Sequence, residues 1–309
     1  MRIKQFLPLY IVLISFGSAV NALPSDTSPV MQRIKSNYEF DIGVAKDQSK
    51  YEFQTPAGGS ILTYDKMKNN QGFIGFKYKH FLEGEKLNYV FAFAEGNFGD
   101  TRSGEVRDDD IRNVTGAYSS HDLRANNNQQ HIGFGYAFDL SQIAPKFGNH
   151  ILSFNFGYFK KHLSTRSIGN NYYSYADADY TEESDQISRS NFHGLAIGAK
   201  IEKIIDDESS ISLAMNGLIT KFGANNYWRA RGEDWQLNQG GGYALNGFDL
   251  KTEYLTNVAK NIDLSIFGYY QSIKAKNLAE HSFGEWQAQA YPGYAETKSY
   301  GLGLGFKFF

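Results

Sequence analysis

Three consecutive carboxylates, Asp108, Asp109 and Asp110, stand in "GEVRDDDIRN", and His121 follows in "YSSHDL" on the same polar segment. Side chains of these types can work on water. Two close carboxylates can hold a water molecule or a basic side chain, and an imidazole titrates near neutral pH, where it serves as a general base. The same triplet equally suits a solvated acidic loop tip, and a lone loop histidine is commonly just hydrated. No Ser-His pairing of phospholipase type stands out. The stretch "YYSYADADYTEESD" brings Asp177, Asp179 and Asp185 together without the spacing of a calcium loop, so no metal is expected. "NYWRARGEDW" gathers Trp228, Arg229, Arg231 and Trp235, types that dominate binding hot spots or that pack a loop. Cysteine is absent, which excludes disulfides, thiol chemistry and thiolate-held metals.

What could position such residues is set by the rest of the 309-residue chain. "MRIKQFLPLYIVLISFGSAVNA" has a basic start, a short apolar stretch and a small-residue exit, the form of a cleaved secretory signal over residues 1–22. Residues 23–309 then make a single domain. Removing Arg2 and Lys4 from the 31 basic residues leaves 29 against 33 acidic ones, so nothing suggests nucleic acid as a partner. Beyond the signal no run of 18 apolar residues occurs, hence no membrane helix is expected. Yet 21 Tyr and 24 Phe are a heavy aromatic load.

Those rings recur in strict alternation. Tyr38, Phe40, Ile42 and Val44 alternate with Glu39, Asp41, Gly43 and Ala45; "HIGFGYAF", "LSFNFGY" and the terminal "YGLGLGFKFF" repeat the pattern. Weaker examples fall at 195–202, 211–216, 248–254 and 262–266, giving ten period-two segments in all. Their connections alternate in length. Short links such as "HFLEGEKLN" and "TNVAKN" take turns with long polar ones over Lys46–Gln71, Asn97–Gln130, Lys160–Asn191, Lys221–Gly242 and Ser272–Ser299.

An even strand count with short turns at one end and long loops at the other predicts an all-β fold: a ten-stranded antiparallel transmembrane barrel, with four short periplasmic turns and five long extracellular loops. In hydrocarbon every backbone N–H and C=O must be paired within the protein, and a closed sheet leaves no edge. The expected place is the bacterial outer membrane. Phe and Leu of the last strand then face lipid while Gly and Lys face the lumen, although the apolar phase falls on Phe306 and Phe308 rather than on Phe309.

Laid along the chain, "FDIGVA", "SILTYDKMKNNQGFIGFKYKHF", "AEGNFGDTRSGEVRDDDIRN", "YSSH" and "GYFKKHLSTR", in that order, resemble the omptin family of outer-membrane barrels. The resemblance implies an endopeptidase site at the extracellular mouth, with two carboxylates on one rim facing an Asp–His pair on the other. Asp108 and Asp110 match the first pair. In "TKFGANNYWRARGEDW" Asn225 and Tyr227 stand where the second pair belongs; Asn carries no orienting charge, and a phenol with a pKa of about 10 is a poor base at neutral pH. The family also implies lipopolysaccharide held on the outer wall by cations, matched here by Lys160 and Arg166, and no other cofactor.

Three functions stay open on these residues. One is a non-proteolytic omptin relative binding host or envelope proteins through its loops. Another is an active surface endopeptidase that uses Asp108 and Asp110 with a rearranged base such as His121. The third is a small porin, although a lumen lined by Glu39, Asp41, Lys77, Lys200, Asp249, Lys251 and Glu253 would be plugged by paired charges.

Overall fold

The computed structural model describes residue 25 and residues 28–309, apart from 58, 60, 83–86, 102, 110–117, 176–177, 229–231 and 283; for 108–109, 118–122, 170–175, 178–184, 228 and 233 the backbone alone is described. The signal-like segment lies outside these residues. A short helix α1 (Pro29–Lys35) is followed by β1 (Tyr38–Gln54), β2 (Ile61–Phe81), β3 (Tyr89–Thr101), β4 (Glu105–Asp109), β5 (Tyr118–Asp139), β6 (His150–Tyr175) and β7 (Ala178–Ile204). Then come β8 (Ser209–Trp228), β9 (Glu233–Gln239), β10 (Ala244–Ala259), β11 (Ile262–Lys276), β12 (Leu278–Ser282), β13 (Glu285–Trp286) and β14 (Tyr294–Phe308).

Ten of these strands close on themselves. β1 pairs with β14 (Val44 opposite Leu304) and with β2, and the antiparallel path runs through β3, β5, β6, β7 and β8 to β10 and β11, which returns to β14. β4 pairs with β2, and β9, β12 and β13 continue the wall beyond β8. No helix among the described residues is long and apolar enough to cross a membrane; the crossing is made by strands.

The period of two sorts each strand into an outer and an inner set. Around the lower barrel the outer set is apolar and exposed: Val44, Phe134 at 63 %, Phe154, Ile197 and Leu302 at 75 %. So large an exposed apolar belt on a closed barrel is a lipid-facing surface. The nearly bare inner face of "YGLGLGFKFF" is filled from the neighbouring strand. A Cβ on Gly303 would stand 2.3 Å from the Phe267 ring, and one on Gly301 would stand 3.0 Å from the Tyr269 ring. β11 thus lays its aromatics across the glycines of β14.

Where long loops were expected, the strands continue instead, and their phase inverts. On β1 the outer positions change from Tyr38, Phe40, Ile42 and Val44 to Lys46, Gln48, Lys50 and Glu52, while the inner ones change from Glu39 and Asp41 to Tyr51 and Phe53. β6 does the same at Tyr158 and Lys160. The cause is the change of solvent. Below the switch the exterior is hydrocarbon; above it the exterior is water, and apolar side chains turn into the bore as they would in a soluble barrel.

Candidate functional site

The inverted phase fills the outer end of the barrel. Tyr51, Phe53, Leu62, Tyr64, Met67, Leu123, Phe159, Leu163, Phe192 and Phe222 form one buried cluster with Val106, Leu218, Leu237 and Ile273, to which nearly every wall strand contributes. Phe192 meets Phe222 at 4.8 Å between ring centres, and Phe53 meets Trp235 of β9 at 5.2 Å. β1 and β7 lie diametrically opposite in the ring of ten, yet the Ser190 hydroxyl donates to the Tyr51 hydroxyl oxygen at 2.7 Å, so the bore is bridged. Burial drives the Tyr51 phenol well above its ordinary pKa, against the hydrogen bond from Ser190, and keeps it neutral.

Against this packing the sequence-derived site residues take definite places. Asp108 lies on β4 with its backbone opposite Leu62, and Asp109 opposite Ile61; Asp110 lies outside the described residues. His121 stands on β5 with its backbone opposite Gly169 of β6. Asn225 and Tyr227 belong to the outer face of β8, because Phe222, Ala224 and Asn226 are the buried, inward set; Asn225 is exposed and Tyr227 half-buried. An Asp–His pair at those two positions would therefore point away from the bore. Among described histidines nearer the outer end, His162 bonds Asn191 at 2.9 Å, His193 stacks edge-on with Tyr243, and His281 stacks edge-on with Trp286. Arg229, Arg231 and Asp177 lie outside the described residues, and among the rest no group of three His, Asp or Glu is placed to hold a metal ion.

Lys160 and Arg166 share the outer wall above the lipid belt. Arg166 makes a two-pronged contact with Asp185 at 3.1 and 2.9 Å, which raises its guanidinium pKa further. Arg124 is its direct partner across β5 and β6, Arg189 stands opposite Ser164, and Lys160 faces His193, which in turn faces Lys221. Sequence reasoning missed Arg124, Arg189 and Lys221, whose shared parity with Lys160 shows only once the register between strands is known. Among the described side chains the patch gathers these cations around Asp185, a composition suited to anionic headgroups.

Beneath the aromatic cluster, polar side chains tie the bore across. Gln271 of β11 donates to Gln129 of the opposite strand β5 at 3.0 Å, and Lys161 donates to Gln271 at 2.7 Å. Below this tie lies a cavity of about 200 Å³, lined by Asp41, Lys77, Glu95, His131, Asp249 and Lys251 among others. An ion-paired layer follows: Lys79 with Glu39, Lys307 between Glu39 and Glu253 at 3.7 Å each, and Lys251 with Glu253 at 3.4 Å. Helix α1 closes the short-turn end. Ser28 caps it, Val30, Met31 and Ile34 pack on Leu87, Tyr89, Phe91 and Ile151, and the buried Arg33 pairs with Glu202 at 2.7 Å and Asp263 at 2.8 Å. Lys79 donates to the carbonyls of Arg33 and Ile34. The cavity thus lies between the aromatic cluster above and helix α1 with its ion pairs below.

Belt, closure and filled bore define the class: a ten-stranded β-barrel of the bacterial outer membrane. A crystal structure of the outer membrane protease OmpT from Escherichia coli matches it with a TM-score of 0.67 over 88 % of this chain and 96 % of that one, at 13 % identity. The resemblance to omptins is thus met in the fold, and at that identity in the fold alone. The monoaromatic hydrocarbon channel CymD (TM-score 0.37, 9 % identity, 94 % of each chain) and the toluene transporter TodX of Pseudomonas putida (0.34, 6 %, 94 % and 95 %) match too loosely to carry an argument. No family model matches the chain, and no curated protein matches it in sequence.

Proposed function

We propose that this chain is a non-proteolytic barrel of omptin type, whose extracellular half binds envelope or host molecules instead of cutting them. The observation that carries the reading is the buried aromatic cluster at the outer end. A peptidase site between two rims needs an open groove where a scissile bond, a water and a base meet within hydrogen-bond reach. Here that space is occupied by Tyr51, Phe53, Tyr64, Phe192 and Phe222, and positions 225 and 227 face outward. The outer wall supports the binding side. Lys160, Arg166 and Arg124 form a cationic patch directly above the lipid belt, where lipopolysaccharide phosphates would lie. The two seals and the cross-bore hydrogen bonds weigh equally against a porin.

The test uses purified barrel reconstituted with lipopolysaccharide. Cleavage of a fluorogenic peptide with basic residues should stay at the buffer rate, and planar bilayers should show no current steps. A peptide cleavage rate that disappears in Asp108→Ala would refute the reading, and steady single-channel current would replace it with a porin. Lys160→Ala with Arg166→Ala should weaken lipopolysaccharide retention during detergent exchange without altering the folded gel mobility.

A further inference from the structure

At about 200 Å³, the cavity beneath the Gln271–Gln129 tie is an order of magnitude beyond the roughly 10–15 Å³ that admits a single water. Its ammonium groups are largely matched. Lys77 and Lys307 reach Glu39, Lys200 reaches Glu202 at 3.2 Å and Lys251 reaches Glu253 at 3.4 Å. Lys161 donates to the neutral Gln271 amide instead. Two carboxylates are left over. Among the described residues Glu95 of β3 makes no ion pair and no hydrogen bond, and Asp249 of β10 has the Asn216 amide at 2.8 Å but no cation. β3 and β10 stand diametrically opposite in the ring of ten, so the two acids face each other across the bore. Glu95 points inward yet is exposed, hence its surface opens on the cavity itself. Beside it His131, 7 % exposed, lines the same space and leaves Nε2 without a partner.

We propose that this cavity is a binding site for a short aliphatic diammonium ion, one ammonium at Glu95 and the other at Asp249, entering from the periplasmic end past α1. The barrel itself shows twice how an ammonium is housed here. Lys77 lies over the Phe91 ring at 5.2 Å with Glu39 as its carboxylate, and Lys251 lies over Phe267 at 4.9 Å with Glu253. A ring face beside a carboxylate is an environment that attracts alkylammonium groups. Glu95 follows Phe93 on the inner face of β3, and Phe73, packed edge-on against Phe267 and Tyr269, lines the same space. Ring and carboxylate are again side by side, without the ammonium. The unpartnered Oδ1 atoms of Asn155 and Asn216 accept further N–H groups, and His131 Nε2 serves either way. An anion would meet two carboxylates, and a neutral sugar would leave both uncompensated. A bare divalent metal would find no third carboxylate or imidazole suitably placed among the described residues. The route follows from what bounds the cavity. A second space of about 20 Å³ lies against Arg33 and Ile34 of α1 and shares Lys77, Ser153 and Lys200 with the first. Long lysine side chains part the two, whereas packed rings close the outer end.

The experiment mixes radiolabelled 1,4-diaminobutane with the full mature barrel in detergent and counts bound label after rapid gel filtration. Saturation near one ion per barrel is expected. Glu95→Gln and Asp249→Asn should each raise Kd about tenfold or more, since each removes a charge-assisted hydrogen bond while keeping the side chain's shape. Unheated gel mobility confirms that both variants are folded. Unlabelled diamine should displace the label, and magnesium at equal concentration should not. In Arg33→Ala, which loosens α1, saturation should be reached faster. No saturable label would mean that water alone fills the cavity and would overturn the proposal. Binding untouched by both carboxylate variants, or displacement by magnesium, would overturn it equally, and an unchanged rate in Arg33→Ala would overturn the route. The proposal is independent of the outer-surface reading, which stands or falls on peptide cleavage and channel current.

Discussion

Removing Arg33 should detach the helix that seals the periplasmic end. α1 orders seven residues, which costs about 7–14 kcal/mol of backbone entropy. Its three buried apolar side chains, Val30, Met31 and Ile34, return about 5–9 kcal/mol, an upper value because the unfolded chain already hides part of that surface. Packing alone falls short by a few kcal/mol. Breaking a buried ion pair costs about 3–5 kcal/mol, which is the size of the shortfall, so the contacts of Arg33 with Glu202 and Asp263 decide whether the helix stays. In Arg33→Ala, hydrogen exchange followed by mass spectrometry should show peptides over 29–35 exchanging at once, while strand peptides such as those of β6 keep their protection. Arg33→Lys, a point charge that cannot fork between two carboxylates, should fall between the two. If residues 29–35 stay protected in Arg33→Ala, the helix is held by packing and this reasoning fails.

Other outcomes follow from the same structure. Leu304→Lys, on the lipid face, should cost roughly 2–4 kcal/mol if it sits near mid-membrane, read as a lowered folding yield into lipid vesicles, and an unchanged yield would contradict the lipid-facing assignment. Asn225→Asp combined with Tyr227→His should produce no peptidase activity, since both side chains point away from the bore; a measurable gain would mean the outer end opens. Glu296 lies above the membrane between Lys298 and, at 3.1 Å, Lys274, and although burial pushes its pKa up, the hydrogen bonds from Lys298 and Lys274 hold it below the usual glutamate range. Its contribution is therefore present above the unfolded value and lost as pH falls through the folded one. Melting points of wild type and Glu296→Gln should converge on acidification below about pH 4.3, and a constant gap across that range would exclude the linkage.

How much of this the sequence carried depends on which solvent each residue meets. The lipid-facing sets at Tyr38–Val44 and Ile132–Phe138 were legible because apolar side chains outside and polar ones inside have only one membrane solution. The strand extensions were not, because above Lys46 and Lys160 the alternation reverses, and a reversed phase reads as polar loop. The outward placement of Asn225 and Tyr227 could have been counted. Ile211, Leu213 and Met215 face lipid at odd positions, and 225 and 227 carry the same parity on an unbroken strand, so a one-residue choice of frame decides between bore and exterior. Arg33 gave no signal at all, since its partners Glu202 and Asp263 are brought to it only by barrel closure.

The reversal of phase also fixes the depth at which the protein floats. The outward apolar band spans seven residues on β1 and nine on β14, from Tyr38 to Val44 and from Tyr300 to Phe308. At about 3.3 Å per residue and a tilt near 40°, that is a collar of roughly 18–23 Å, a little under the ~25 Å usual for such barrels. Sinking by one alternation step would drag Lys46 and Lys160 into hydrocarbon, and rising by one would lift Val44 and Tyr300 into water. The molecule therefore has a waterline, and the surrounding bilayer must thin to meet it.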